Sequence, residues 1–225
     1  MKSMICSSQN PYELCFVLTE DYSRISLSLM LETLEEANNL LGYEKYRVTL
    51  LTEKRALLPE KHALENSDSR LNLLTAQSIR KDYKVVALVG GKSVKVGVSE
   101  LLVSLMRRHL HQGGDILAVE GGVGVLAGMG LLNGRVASCH IGHQRDLSDL
   151  YPEITFNTNI FSVSHGVSSC AGGIATLDML FDLVEKLSPS VYEALCVRLA
   201  LDRPRAGTAV QKNVVHHHYV GLGQS

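Results

Sequence analysis

The junction Asp115-Ile-Leu-Ala-Val-Glu120-Gly121-Gly122 constrains this chain more than any other feature of it. An apolar run that flows into glycines and then into Val123-Gly124-Val125-Leu126 reads as a buried strand turning sharply into a helix. In α/β folds, a turn of this kind at the carboxyl end of a parallel strand lifts one side chain into the ligand crevice, and hydrolases place their nucleophile there. Here that side chain is Glu120. Activated acyl transfer needs a hydroxyl or thiol beside a base, which a carboxylate does not supply. The junction therefore predicts the architecture of an active site without its nucleophile, a site suited to binding.

The rest of the chain supplies the α/β alternation that such a junction requires. Leu14-Cys-Phe-Val-Leu18 reads as a first buried strand, and Ile25 to Leu41 as a helix with Leu27, Met30, Leu31, Leu34, Ala37 and Leu41 on one face. Tyr46 to Leu51 is a second strand, and Glu53 to Ser78 a polar hairpin or exposed excursion. Tyr83 to Val89 is apolar on both faces, which marks a central parallel strand, and it ends in Gly90-Gly91. Val96 to His111 is amphipathic, with Val98, Leu101, Leu102, Leu105 and Leu110 as its stripe. A helix from Val123 to Met129, a strand from Arg135 to His140 and extended segments between Ile154 and Val163 follow. Ser169 to Gly173 opens a helix reaching about Lys186, and Ser188-Pro189 caps a last helix from Ser190 to Leu201. The fold class predicted is a doubly wound, mostly parallel sheet with helices on both faces.

A length of 225 residues fits one domain at the upper end of the usual range. Hydrophobic residues at 45% and charged residues at 20% exclude a disordered chain. The net charge is −1, from 22 basic and 23 acidic residues, so no positive field exists to hold a nucleic-acid backbone. Five cysteines without a C-x-x-C pair argue against a disulfide framework or a structural zinc and favour a reducing cytoplasm. Polar Ser7-Ser8-Gln9-Asn10 interrupts the amino terminus before a signal peptide could form, and no run reaches the roughly 18 apolar residues of a membrane span.

Three segments carry a family resemblance. Leu126-Ala127-Gly128-Met129-Gly130-Leu131-Leu132-Asn133-Gly134-Arg135-Val136-Ala137-Ser138-Cys139-His140 resembles the "LAxAGLLdGrxaTxH" block of the glutamine-amidotransferase-like, ThiJ/PfpI-type sensor domain of AraC-family transcriptional regulators. Ser169-Cys170-Ala171-Gly172-Gly173-Ile174-Ala175-Thr176-Leu177-Asp178-Met179 is similar to that family's "TCSGGxAaLDm" helix start, and Asp202-Arg203 with Gln211 to the end of its sensor domain. The resemblance implies a flavodoxin-like, class I glutamine-amidotransferase-like sensor at 1–206 that dimerises, binds a small metabolite and controls a helix-turn-helix domain. Residues 207–225 would then be a linker to that domain, which is absent from this chain, and DNA would be bound only through it. The similarity extends to regulators of arginine, glycine betaine and carnitine catabolism. Two departures stand out: Glu120 occupies the place of an elbow thiol, and the family's "HWE" is here His140-Ile141-Gly142. The chain has no Trp, which excludes an indole cage for a quaternary ammonium.

The candidate ligand-binding set is Glu20, Gly90, Gly91, Glu120, Gly121, His140 and Cys170. Glu120 is read either as a ligand for a cationic or hydrogen-bond-donating group or as a carboxylate that merely caps a helix start. His140 is either its partner or a structural histidine satisfied by backbone. Gly90-Gly91 offers N–H groups to a ligand oxygen, or only a tight turn. Cys170 is a reactive thiol or a small buried filler. Glu20 and Asp21 line the pocket or belong to a solvated loop. Gly122-Val123-Gly124-Val125-Leu126-Ala127 fits a dinucleotide pattern but lies in mid-chain, away from the first βα turn where that pattern works. His216-His217-His218 stands in the terminal linker without a second ligand cluster, so no metal and no cofactor is expected. The expected function is sensing of a small nitrogenous metabolite by a homodimer with no catalytic residue. The alternatives are a ThiJ/PfpI-superfamily amidase, hydratase or glyoxalase-like enzyme using Glu120 and His140, and a structural dimer with an empty crevice.

Overall fold

In a computed structural model, which describes residues 10–53, 71–75, 77–79, 82–93 and 97–212, alternate residues of each central strand serve opposite faces of one sheet. The strands are β1 (Tyr12–Leu18), β2 (Tyr46–Thr52), β3 (Leu71–Leu73), β4 (Val85–Val89), β5 (Asp115–Val119), β6 (Val136–Ser138), β7 (Thr155–Asn157), β8 (Phe161–Ser164) and β9 (Val167–Cys170). The helices are α1 (Arg24–Leu41), α2 (Glu100–His111), α3 (Gly122–Gly128), α4 (Ile141–Leu150), α5 (Ile174–Leu187) and α6 (Pro189–Arg198). Seven strands form a sheet in the order β3-β2-β1-β4-β5-β9-β8, parallel except for β8 against β9. Leu14, Phe16, Val85, Ala87, Leu117 and Val119 pack under α1, α5 and α6, while Cys15, Val17, Val86, Leu88, Ile116 and Ala118 pack under α2 to α4. The doubly wound architecture expected from the alternation is present.

Helix α1 shows how the sequence sets its own limits. Ser23 caps it by accepting the Ser26 N–H, and Gly42 ends it at φ 74°, a left-handed conformation that a Cβ would strain. Leu27, Met30, Leu34 and Ala37 are buried as the spacing predicts, and Ser26 and Thr33 join them.

Several elements differ from expectation. The buried stripe of α2 is Leu102, Leu105, Met106 and His109, whereas Leu101 is exposed. These four fall at i, i+3, i+4 and i+7, the register that one helix face allows. β6 leaves the main sheet and pairs with β7 in a separate two-stranded sheet. α4 was not legible because its sequence, IGHQRDLSDL, buries only Leu147 and so has no apolar stripe. Cys170 closes strand β9, and α5 begins four residues later. Ser188 caps nothing with its side chain; its hydroxyl meets Tyr46 Oη at 2.7 Å, and Pro189 alone marks the start of α6. β3 adds a parallel edge strand at the end of the expected excursion, most of which lies outside the described residues. The amino-terminal residues 1–9, the start of the α2 segment at Val96, and 213–225 with His216-His217-His218 are also outside them.

Residues 207–211, at the start of the expected linker, are hydrogen-bonded to the domain. Val210 bridges Asn159, Ala209 O accepts the Ile160 N–H at 2.8 Å, and the Gln211 N–H donates to Thr158 O at 2.8 Å. No helix among the described residues is long and apolar enough to cross a membrane.

Candidate functional site

Register brings the site together. Leu18 pairs with Val89, Val89 with Val119 and Val119 with Cys170, so four parallel strands end at one level. The segments that follow, Thr19–Ser23, Gly90–Gly91, Glu120–Gly121 and Ala171–Gly173, therefore meet at one edge of the sheet. Ligands of open α/β sheets bind at this carboxyl edge.

Glu120 stands at φ 56°, a left-handed conformation that costs a residue with a Cβ of order 1 kcal/mol or more and persists only where its surroundings enforce it. The enforcing contacts are visible. Its N–H donates to Cys170 O at 3.2 Å, its carbonyl accepts the Val123 N–H at 3.1 Å, and the following Gly121 N–H donates to Gly91 O at 2.9 Å. Glycines make the turn possible by close approach: a Cβ on Gly121 would lie 2.3 Å from Ser93 O, and one on Gly122 2.3 Å from Leu88 O. Gly122, the first glycine of the dinucleotide-like pattern, thus serves the packing of the elbow on β4.

The half-buried Glu120 side chain turns toward the start of α5, where it packs against Gly172; a Cβ there would meet Glu120 Oε2 at 2.8 Å. Its carboxylate accepts a 3.4 Å hydrogen bond from Ser26 Oγ. Ser26, fully buried, also accepts from the Gly173 N–H at 3.1 Å and from Thr176 Oγ1 at 3.2 Å. A hydroxyl has one proton and two lone pairs, and Ser26 uses all three. Sequence reasoning missed Ser26 and Thr176. Their one signal is a small hydroxyl on the apolar face of a helix, and it is a weak one because such residues also back-bond within helices.

The remaining candidates divide. Gly90 and Gly91 lie beside the elbow, but the Gly90 N–H donates to Val119 O at 3.1 Å and is spent within the sheet. Gly121 N–H, the donor that follows the nucleophile in hydrolase elbows, is spent on Gly91 O. Cys170 is adjacent yet wholly buried, and burial pushes its thiol up to about 11, which keeps it protonated. Asp21 pins two loops together, accepting from Thr19 Oγ1 at 3.0 Å and from the Ser93 N–H at 2.9 Å. Glu20 is exposed and, with Thr19, Glu53, Val98 and Leu102, borders a separate small cleft. His140 is exposed at the N-cap of α4, where Nδ1 accepts the Gly142 N–H at 3.1 Å, and its ring centroid lies 5.8 Å from that of His143. No hydrogen bond joins it to Glu120. Among the described residues, no group of three or more His, Cys, Asp or Glu side chains could hold a metal ion.

The fold and its elbow define a flavodoxin-like α/β domain that presents Glu120, on a left-handed backbone, at the carboxyl edge of its sheet. The chain belongs to the DJ-1/PfpI family, which it matches over residues 13–186. It is 28% identical over 178 residues to the HTH-type transcriptional regulator GbdR of Pseudomonas aeruginosa, covering 79% of this chain and 47% of that one. It is 24% identical over 177 residues to the HTH-type transcriptional regulator GlxA of Rhizobium meliloti, covering 79% and 53%. The chain spans about half the length of these curated relatives. Among solved structures, an AraC family transcriptional regulator from Pseudomonas putida aligns with a TM-score of 0.67 at 21% identity, over 84% of this chain and 100% of the other. Drosophila melanogaster DJ-1beta aligns with a TM-score of 0.67 at 16% identity, over 86% and 100%.

Proposed function

We propose that this chain is the ligand-sensing domain of an AraC-type transcriptional regulator, and that Glu120 receives the cationic or hydrogen-bond-donating nitrogen of a small metabolite. The observation that carries the reading is the elbow itself. Its strained position holds a half-buried carboxylate with a single hydrogen bond from a side chain, while the nearby thiol is buried and protonated. A site so built holds a ligand and lacks the activated nucleophile of acyl transfer. Similarity to HTH-type regulators about twice as long supports a DNA-binding half elsewhere in the parent protein. On this reading the regulator acts as a cytoplasmic homodimer, and DNA is bound only by that half.

The test is a thermal-shift screen of the 225-residue chain against amino acids, polyamines, betaines and carnitine. A ligand at about 100 times its dissociation constant adds about 2.7 kcal/mol to stability, a rise of several degrees. The expected result is a selective hit that disappears in Glu120→Ala. A panel without a hit, or a hit unchanged by that substitution, refutes the assignment. Turnover of any panel compound that Glu120→Gln abolishes would favour an enzyme instead.

A further inference from the structure

The chain that leaves α6 is fastened to the domain at two points. Arg205 donates its backbone N–H to Asp178 Oδ1 at 2.7 Å, and its Nε and Nη2 to Oδ2 at 3.0 and 2.6 Å. Asp178 is buried in α5, two residues after Thr176, which bonds Ser26 at the elbow. Six residues on, Gln211 Nε2 donates to Cys139 O at 2.8 Å and to Asn159 O at 2.9 Å, and its Oε1 accepts the Ile141 N–H at 2.9 Å. Cys139 and Ile141 flank His140, so one amide grips the backbone on both sides of the α4 N-cap.

Between these anchors a short hydrogen-bond path leads to Glu120. Ala209 O accepts the Ile160 N–H at 2.8 Å, Ile160 O accepts the Ala171 N–H at 3.0 Å, and the neighbouring Cys170 O accepts the Glu120 N–H at 3.2 Å. The strap itself buries little: Arg205, Ala206, Thr208 and Val210 are exposed, the last at 64%. It is therefore held by hydrogen bonds more than by apolar contact. Segments with that balance open at low cost compared with a core element.

We propose that the strap from Arg205 to Gln211 is the output element of the Glu120 site, its docking energetically coupled to the arrangement of the elbow and the start of α5. This inference rests on the sensor reading and names how that site regulates: a ligand at Glu120 changes how firmly the departing chain is held. Such a ligand shifts the strap only by its differential affinity for the docked and released arrangements. The coupling is reciprocal, so loosening the strap must loosen the elbow and loosening the elbow must loosen the strap.

Amide hydrogen exchange on the ligand-free chain tests both directions. Gln211→Ala and the milder Gln211→Asn remove strap anchors, and Ser26→Ala loosens the elbow. Gln211→Ala loses three side-chain hydrogen bonds, so exchange should rise at least about tenfold at Ile160 and also several-fold at Ala171, Glu120 and Gly173, with a smaller rise in Gln211→Asn. Ser26→Ala should raise exchange at Ile160 and Gln211. A rise confined to the strap in the Gln211 variants, or Ile160 and Gln211 amides unmoved by Ser26→Ala, overturns the coupling. The experiment needs no ligand, so its failure is distinct from failure of the metabolite screen.

Discussion

Ser26→Ala isolates the hydroxyl that ties the elbow to α5. Removing Oγ withdraws the acceptor for the Gly173 N–H at 3.1 Å and for the Thr176 hydroxyl at 3.2 Å, and the donor to Glu120 at 3.4 Å. The three losses are unequal. Thr176 Oγ1 retains Cys170 Sγ at 3.8 Å, and the half-buried Glu120 carboxylate turns to water. Gly173 N–H, on a partly buried residue, loses the acceptor it has in the fold. Such a loss costs about 1–2 kcal/mol, and the other two losses together add a few tenths, so a destabilisation of about 2 kcal/mol is expected. For a domain of this size the loss lowers Tm by about 4–8 °C. Urea unfolding followed by circular dichroism, with Glu120→Gln as the control that preserves an acceptor for Ser26, measures it. A loss below about 0.5 kcal/mol in Ser26→Ala, or an equal loss in Glu120→Gln, would refute the argument that Ser26 is the structural centre of the site.

Two further outcomes follow from burial. Cys170 should resist iodoacetamide in the native chain at about pH 8, because its thiol is held up to about 11 by burial; alkylation at the rate of a free thiol would contradict its placement. His109 is buried against Asp115 O, with Nε2 at 3.0 Å, and desolvation holds its pKa below the ordinary 6.5. The folded state then binds fewer protons than the unfolded state as pH falls below 6.5, so stability falls with it. Asp115, raised by burial, works in the opposite direction at lower pH, so the comparison belongs between about pH 7.5 and pH 5.5. Urea midpoints over that range should fall in the parent chain and fall less in His109→Gln; identical pH slopes would show that His109 is not the cause.

Features set by near neighbours in the chain are legible in its sequence. The central strands announce themselves because both faces of β4 and β5 are apolar, and α1 because Leu27, Met30, Leu34 and Ala37 recur at helical spacing. The elbow is legible as a glycine pair after an apolar strand, and in the fold those glycines let the start of α3 lie against Leu88 and Gly90. The same local logic fails where burial is slight or partners are distant. α4 hides one leucine and so lacks a periodic stripe, and β6 reads as another parallel strand although its partner is β7. Leu101, apolar beside Leu102, fits the sequence pattern of the buried face of α2, yet it is exposed, because only one of two adjacent helical residues can face the sheet.

The candidate site marks the same boundary. The amino-acid sequence by itself determined the strand and helix periods, the α/β class and the position of Glu120, since each depends on neighbours within a few residues. Tertiary structure alone decided that four strands end at one level, that Ser26 joins Glu120 to α5, and that Gln211 clamps the backbone around His140. The bond from Gly173 to Ser26 bridges 147 residues of chain, and a hydrogen bond over such a span leaves no periodic trace in sequence. It exists because the sheet's register brings the two ends within 3.1 Å of each other.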